Sequence, residues 1–234
     1  MQEKFYTDFV NQKFSTDGSV LTYPGNTIIC FIDPRRHSAI YQRCLWVLDQ
    51  LQAMPWQHKF TTLPPSSFHM TVMDLLCDQV RTPADWSSRL PLSATLEETD
   101  AFLLSNVPTV PVPDNLRFRY TLIREPVKIE LEPDDKETET AIWHYRNQIA
   151  EVTGVRFSEH AEYKFHIGLA YQIVQLTAEE QTEQQAMLGR ISQTLQGTDE
   201  IFEPDSPQLV FFDDMFRFVP ESERHTLITR MKTE

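Results

Sequence analysis

Read for the alternation of apolar and polar positions, the chain breaks into short strands and amphipathic helices. Residues 27–33 (TIICFID) form an apolar run of strand length, and residues 38–54 follow with Ile40, Leu45, Val47, Leu48 and Leu51 at roughly helical spacing. Residues 66–75 predict a second strand and 96–104 a short helix. Residues 115–124 and 127–131 predict a strand pair with Glu125-Pro126 between them. A helix is expected over 134–152: acidic residues crowd its start, where they complement the helix dipole, and Gly154 stands just past its end. Residues 163–171 predict a strand, 177–195 a helix opened by a Thr177…Glu180 capping box with Gly197 near its end, and 208–218 a final strand. The order lacks the β-α-β rhythm of a doubly wound sheet, so the expected class is α+β. No Gly/Ser-rich linker divides the chain; the Pro-rich stretch 107–113 is the best surface connection near its middle.

One short element occurs twice. Ser67-Phe68-His69-Met70-Thr71-Val72 and Lys164-Phe165-His166-Ile167-Gly168-Leu169 share the order Phe, His, apolar, small, apolar, each inside a predicted strand. Side chains on a strand alternate between faces. In the first copy Ser67, His69, Thr71 and Met73 share one face, with Phe68, Met70 and Val72 on the other. In the second, Lys164, His166, Gly168 and Ala170 lie opposite Phe165, Ile167, Leu169 and Tyr171. A buried apolar face and a polar cleft face account for this division. A single such strand reads as a half-buried structural histidine, but packing alone gives no reason for histidine to recur in the same register. If the two strands meet across a groove, two imidazoles that titrate near neutrality can serve as general base and general acid on one phosphorus centre. The Thr71 hydroxyl, on the His69 face, can donate to a phosphoryl oxygen. The other five histidines (His37, His58, His144, His160 and His225) fall in loops or on helices and read as surface residues.

Composition narrows the chemistry. The 234 residues are 41% hydrophobic, 24% charged and 11% aromatic, an ordinary globular balance. No apolar run approaches the roughly 20 residues needed to cross a bilayer, and the start of the chain has no basic-then-apolar leader, so a cytoplasmic protein is expected. Cys30, Cys44 and Cys77 have no CxxC spacing and read as reduced thiols. A formal net charge of −13 argues against duplex DNA and long RNA, which call for a basic surface, while a small phosphate ester can still be held by local cations. Six glycines and neither GxGxxG nor GxxxxGK[ST] exclude a Gly-rich phosphate loop. Neither HExxH nor a carboxylate cluster offers a metal site.

At these residues the sequence resembles the 2H (two-histidine) phosphoesterase superfamily, which includes RNA 2′,5′-ligase-like and cyclic phosphodiesterase proteins. Its signature is two H-apolar-[ST]-apolar elements, matched by His69-Met70-Thr71-Val72 and, incompletely, by His166-Ile167-Gly168-Leu169. Pro24-Gly25-Asn26-Thr27, Pro64-Pro65-Ser66-Ser67 and Phe165-His166-Ile167-Gly168-Leu169-Ala170-Tyr171 resemble a poorly characterised branch of it, over residues 13–171. The resemblance implies a bilobal α+β domain over residues 1–234: two antiparallel sheets related by a pseudo-twofold, helices outside, and one histidine from each sheet in a central cleft. It implies cofactor-free and metal-independent cleavage of 2′,3′-cyclic or 2′,5′-linked phosphodiesters on a small nucleotide or RNA end. A monomer is expected. His69, His166 and Thr71 are the expected catalytic residues, and Ser67, Lys164 and Gly168 the expected substrate contacts. Gly168 departs from the signature by withholding one hydroxyl, which leaves open a rival reading: a degenerate relative that binds a nucleotide without cleaving it. Arg117 and Arg119 read as a solvated strand edge, and Trp86, Trp143 and Tyr145, which could stack a base, as core.

Overall fold

The computed structural model describes residues 5–230. After an N-terminal segment, β1 (Gly25–Phe31) leads into α1 (Ser38–Gln52), whose buried stripe is Ile40, Cys44, Val47, Leu48 and Leu51. The short β2 (Phe60–Thr62) and a 3-10 turn precede β3 (His69–Cys77). Next comes α2 (Leu96–Asn106), opened by a capping box in which Thr95 accepts from the Glu98 amide and Glu98 reaches back to the Thr95 amide. Then follow β4 (Phe118–Arg124), β5 (Lys128–Pro133) and α3 (Lys136–Thr153), which is capped by Asp135 and ended by Gly154 at φ 69°, a left-handed position that glycine takes without strain. The chain continues through β6 (Phe165–Gly168), β7 (Ala170–Gln172), α4 (Ala178–Gln196) with its Thr177–Glu180 capping box, β8 (Ile201–Phe202), β9 (Gln208–Asp214) and β10 (Arg217–Pro220). Helices and antiparallel strands make the α+β class expected from the sequence.

The sheet architecture differs from the expected pair of sheets. Hydrogen bonding runs through one eight-stranded antiparallel sheet in the order β10-β9-β1-β3-β6-β5-β4-β8, with a separate β2-β7 ribbon. Its middle is narrow: β3 and β6 pair only at Met70↔Ile167 and Thr71↔His166. Four strands lie on either side of this seam, so within the large sheet the two histidine strands join the halves, with the β2-β7 ribbon pairing beside them. Met70, Ile129, Phe165 and Ile167 belong to one apolar core cluster with the buried faces of α1 and α3. A second cluster on Phe14, Tyr23, Leu63 and Phe212 ties the N-terminal segment to the sheet.

Two strands expected as continuous are broken, each for a local reason. The run 163–171 changes partners at Leu169: its amide donates to the Val127 carbonyl at 3.0 Å and its carbonyl accepts from Leu63 at 2.8 Å, so β6 stays in the large sheet while β7 leaves for β2. The run 208–218 folds back as a hairpin, because the Asp214 carboxylate accepts from the Phe216 amide at 2.7 Å and closes the turn.

Candidate active site

Register places the site. Directly opposed residues on antiparallel strands share a face. Across β3, β6 and β5, Thr71, His166 and Glu130 form one row, and Gly168 faces Lys128 in the next. Carrying the β3–β6 register two residues further sets His69 beside Gly168. The two imidazoles are thus diagonal neighbours, a relation that spaces Cα atoms at roughly 7–8 Å. Both line one cleft of about 390 Å³, together with Thr71, Gly168, Lys128 and Asp74. That volume suits a small ligand.

The histidines are held alike. His69 Nδ1 lies 2.7 Å from the Ser67 carbonyl oxygen, and His166 Nδ1 lies 2.9 Å from that of Lys164, in each case two residues back along the chain. A carbonyl can only accept, so each Nδ1 carries the proton, and each neutral ring is left with its lone pair on Nε2. Burial lowers the His69 pKa to about 4, with the Ser67 bond opposing and His166 adding to the shift. Burial lowers that of His166 as well, and the neighbouring Lys128 ammonium lowers it further.

The strand β3 does not alternate as its sequence suggests. Its pairing with β1 slips twice, once between Thr71 and Met73 and once between Asp74 and Cys77. These bulges turn Met73 into the core and bring Asp74 to the cleft, correcting the expectation that Met73 shares the His69 face. Side chains repair the irregular ladder. Buried Arg146 of α3 donates to the Val72 carbonyl, and the Thr27 hydroxyl to that of Met73 at 3.0 Å. The Asn26 side-chain carbonyl accepts from the Leu76 amide at 2.9 Å while its amide donates to buried Asp100 at 3.3 Å.

Of the six residues expected in the site, His69, Thr71, His166 and Gly168 meet in the cleft; Ser67 and Lys164 do not line it. The Ser67 hydroxyl is buried and donates to the Pro64 carbonyl at 2.8 Å, closing the 3-10 turn, and the Lys164 side chain points to solvent. Both contribute through the main chain, as the carbonyls that orient the histidines. Arg117 pairs with Glu203 at 2.7 Å and Arg119 with Glu132 at 2.6 Å, as a solvated edge should. Trp86 and Tyr145 are buried and Trp143 packs on Phe165 at 5.9 Å, all in the core. His160 is no surface residue: it is buried, with Nε2 3.1 Å from the Asn147 side-chain oxygen, and its pKa falls to about 4, chiefly by burial. All three cysteines are free. Among the described residues no group of three or more His, Cys, Asp or Glu is arranged to hold a metal ion, and no helix is long and apolar enough to cross a membrane.

Sequence reasoning missed Lys128, Asp74 and Lys13. The alternation Lys128-Ile129-Glu130-Leu131-Glu132 marks Lys128 as lying on the polar face of β5, a readable signal. The position of Asp74 depends on the bulges. Lys13 reaches the cleft from outside the sheet, its ammonium 5.0 Å from the Tyr23 ring centroid and 5.3 Å from that of Tyr171.

A continuous antiparallel sheet presenting one histidine from each half to a shared cleft is the frame on which the comparisons with known proteins bear. Residues 13–128 match the family model 2H-phosphodiest, described as a domain of unknown function (DUF1868), and this stretch of the chain belongs to that family. The match takes in His69 and Thr71; His166 lies beyond it. Among solved structures, the chain is similar to a conserved protein of unknown function, ATU0111, from Agrobacterium tumefaciens str. C58, with 25% identity over 93% of each chain and a TM-score of 0.84. The protein TT0787 of Thermus thermophilus aligns over 79% of this chain and 86% of its own, with 14% identity and a TM-score of 0.41. No curated protein matches.

Proposed function

We propose that the protein is a phosphodiesterase of the two-histidine type, acting without metal or cofactor on a small nucleotide or RNA-end diester with a 2′,3′-cyclic or 2′,5′ linkage. The observation that carries this reading is the matched pair of Nδ1-to-carbonyl bonds. They direct two basic Nε2 atoms from adjacent strands into one cleft beside the Thr71 hydroxyl. Of the two, His69 has its pKa drawn down to about 4, so it is neutral at ordinary pH and suits the base. It takes a proton from water, the water oxygen bonds to phosphorus, and the P–O bond to the leaving ribose oxygen breaks. Protonated His166 supplies the proton to that oxygen; a bound phosphate anion favours the charged imidazolium. Thr71 donates to a non-bridging oxygen throughout.

On the same reading the chain is one domain of two lobes related by a pseudo-twofold, since β1–α1–β3, with the short β2 interposed, and β5–α3–β6 follow a similar order and each ends on a histidine strand. It acts as a cytoplasmic monomer on a nucleotide-sized partner, in keeping with a charge that disfavours duplex DNA. A second reading, a nucleotide-binding protein without turnover, is favoured by Gly168. A panel of 2′,3′-cyclic nucleotides and 2′,5′-linked dinucleotides, assayed with and without EDTA, separates the two. Turnover indifferent to chelator supports the hydrolase. Ligand-induced thermal stabilisation without turnover supports the binder, and activity lost to EDTA and restored by a divalent ion rejects the metal-free scheme.

A further inference from the structure

We propose that Lys128 supplies the phosphoryl contact that Gly168 withholds, so that the second half of the cleft grips its anion with an ammonium in place of a hydroxyl. The inference rests on the phosphodiesterase reading and goes beyond it, since the two-histidine signature does not include this lysine. Three observations carry it. Lys128 is the direct cross-strand partner of Gly168 and lines the cleft beside it, so its side chain rises from the same face and the same row. The space above Gly168 is open: a Cβ built there would meet only Leu63 Cδ1, at 3.8 Å. A four-carbon stem can therefore lie across the glycine into the cleft that both histidines line. Finally, Lys128 is half-buried and makes no ion pair among the described residues, whereas the neighbouring cation Arg124 is held by Glu130 at 2.6 Å.

The charges around it suit an anion arriving from outside. Asp74, Glu130, Lys13 and His166 all act on the Lys128 ammonium or are acted on by it, yet burial is the dominant influence. A partly desolvated, unpaired ammonium gains most when a ligand brings its own negative charge. With three rotatable donors on a flexible stem, lysine binds phosphate as a point charge and needs no fixed hydroxyl geometry. Glycine at 168 then acts as clearance for the lysine, and the departure from the two-hydroxyl pattern is an exchange of one donor for another.

The test is a mutant cycle of Lys128→Met, Gly168→Ser and the double variant. It is read by kcat and KM on a 2′,3′-cyclic nucleotide and by inorganic phosphate binding, followed through the imidazole NMR signals. Lys128→Met should cost on the order of 10²–10³ in kcat/KM, comparable to loss of an oxyanion-hole donor, and should weaken phosphate binding. Gly168→Ser should recover at least about tenfold in the Lys128→Met background and add much less to the native chain, a coupling that a structural lysine would not show. Lys128→Arg should keep more activity than Lys128→Met. The proposal is overturned if Lys128→Met retains native kcat/KM and phosphate affinity, or if Gly168→Ser has the same effect in both backgrounds. The two readings fail separately: turnover dependent on His69 and His166 but indifferent to Lys128 sinks only the lysine assignment. Lysine-dependent phosphate binding without turnover of any diester sinks only the hydrolase.

Discussion

Removing either imidazole should disable the site as a unit. A positioned acid or base contributes on the order of 10²–10⁴ to a rate, or roughly 3–5 kcal/mol of barrier. His69→Ala and His166→Ala are each expected to lose that much kcat. Independent effects would multiply to about 10⁴–10⁸ in the double variant, whereas partners in one proton relay should leave it within about tenfold of the worse single. The pH dependence of kcat/KM is set by the free protein. With the His69 pKa near 4, the base is about one-tenth protonated at pH 5 and about nine-tenths at pH 3, so activity should fall away below pH 4. The alkaline limb belongs to His166 and lies below the ordinary imidazole value of 6.5, because burial and the Lys128 ammonium both oppose its charged form. The optimum is therefore expected on the acid side of neutrality. Initial rates on a cyclic nucleotide across pH 3–9 measure the profile, and circular dichroism verifies folding of His69→Ala, whose ring packs 4.4 Å from Phe218. A multiplicative double mutant, or a profile flat through pH 4, would refute the base assigned to His69.

Thr71→Val keeps the shape of a buried side chain and removes only its hydroxyl, so kcat should fall by about 10²–10³ with little change in Tm; an unaffected kcat would take Thr71 out of the phosphoryl contact. Asn26→Ala strips the buried Leu76 amide of its acceptor at a cost of about 1–3 kcal/mol, which thermal denaturation should register as a Tm lowered by several degrees. An unchanged Tm would mean that the irregular β1–β3 ladder does not depend on this side chain.

The sequence was most readable where chemistry repeats. The two Phe-His elements point to the same cleft, because a period of two fixes which residues share a face. The helix ends at Thr177 and Gly154 follow from local capping, which needs no tertiary information. What stayed hidden depends on partners distant in the chain. The slips in β3 arise against β1, and nothing local to Met73 or Asp74 announces that they exchange faces. An ideal strand would carry the Ser67 and Lys164 side chains into the cleft, but both residues precede their strands and meet the histidines through their carbonyls. Arg146 is buried in α3 with its guanidinium on the Val72 and His160 carbonyls, partners that lie 74 and 14 residues away.

The seam between β3 and β6 has a consequence for how the site comes into being. Its two residue pairs join segments far apart in the chain, and Thr71 and His166 are themselves one of those pairs. Closing so long a loop for so few hydrogen bonds is entropically poor unless the strands on either side are already in place. The site should then be among the last parts of the molecule to assemble and the first to part under mild denaturant. Loss of turnover would precede loss of helical signal in a urea titration, which makes catalysis itself a sensitive gauge of whether the two halves of the sheet are joined.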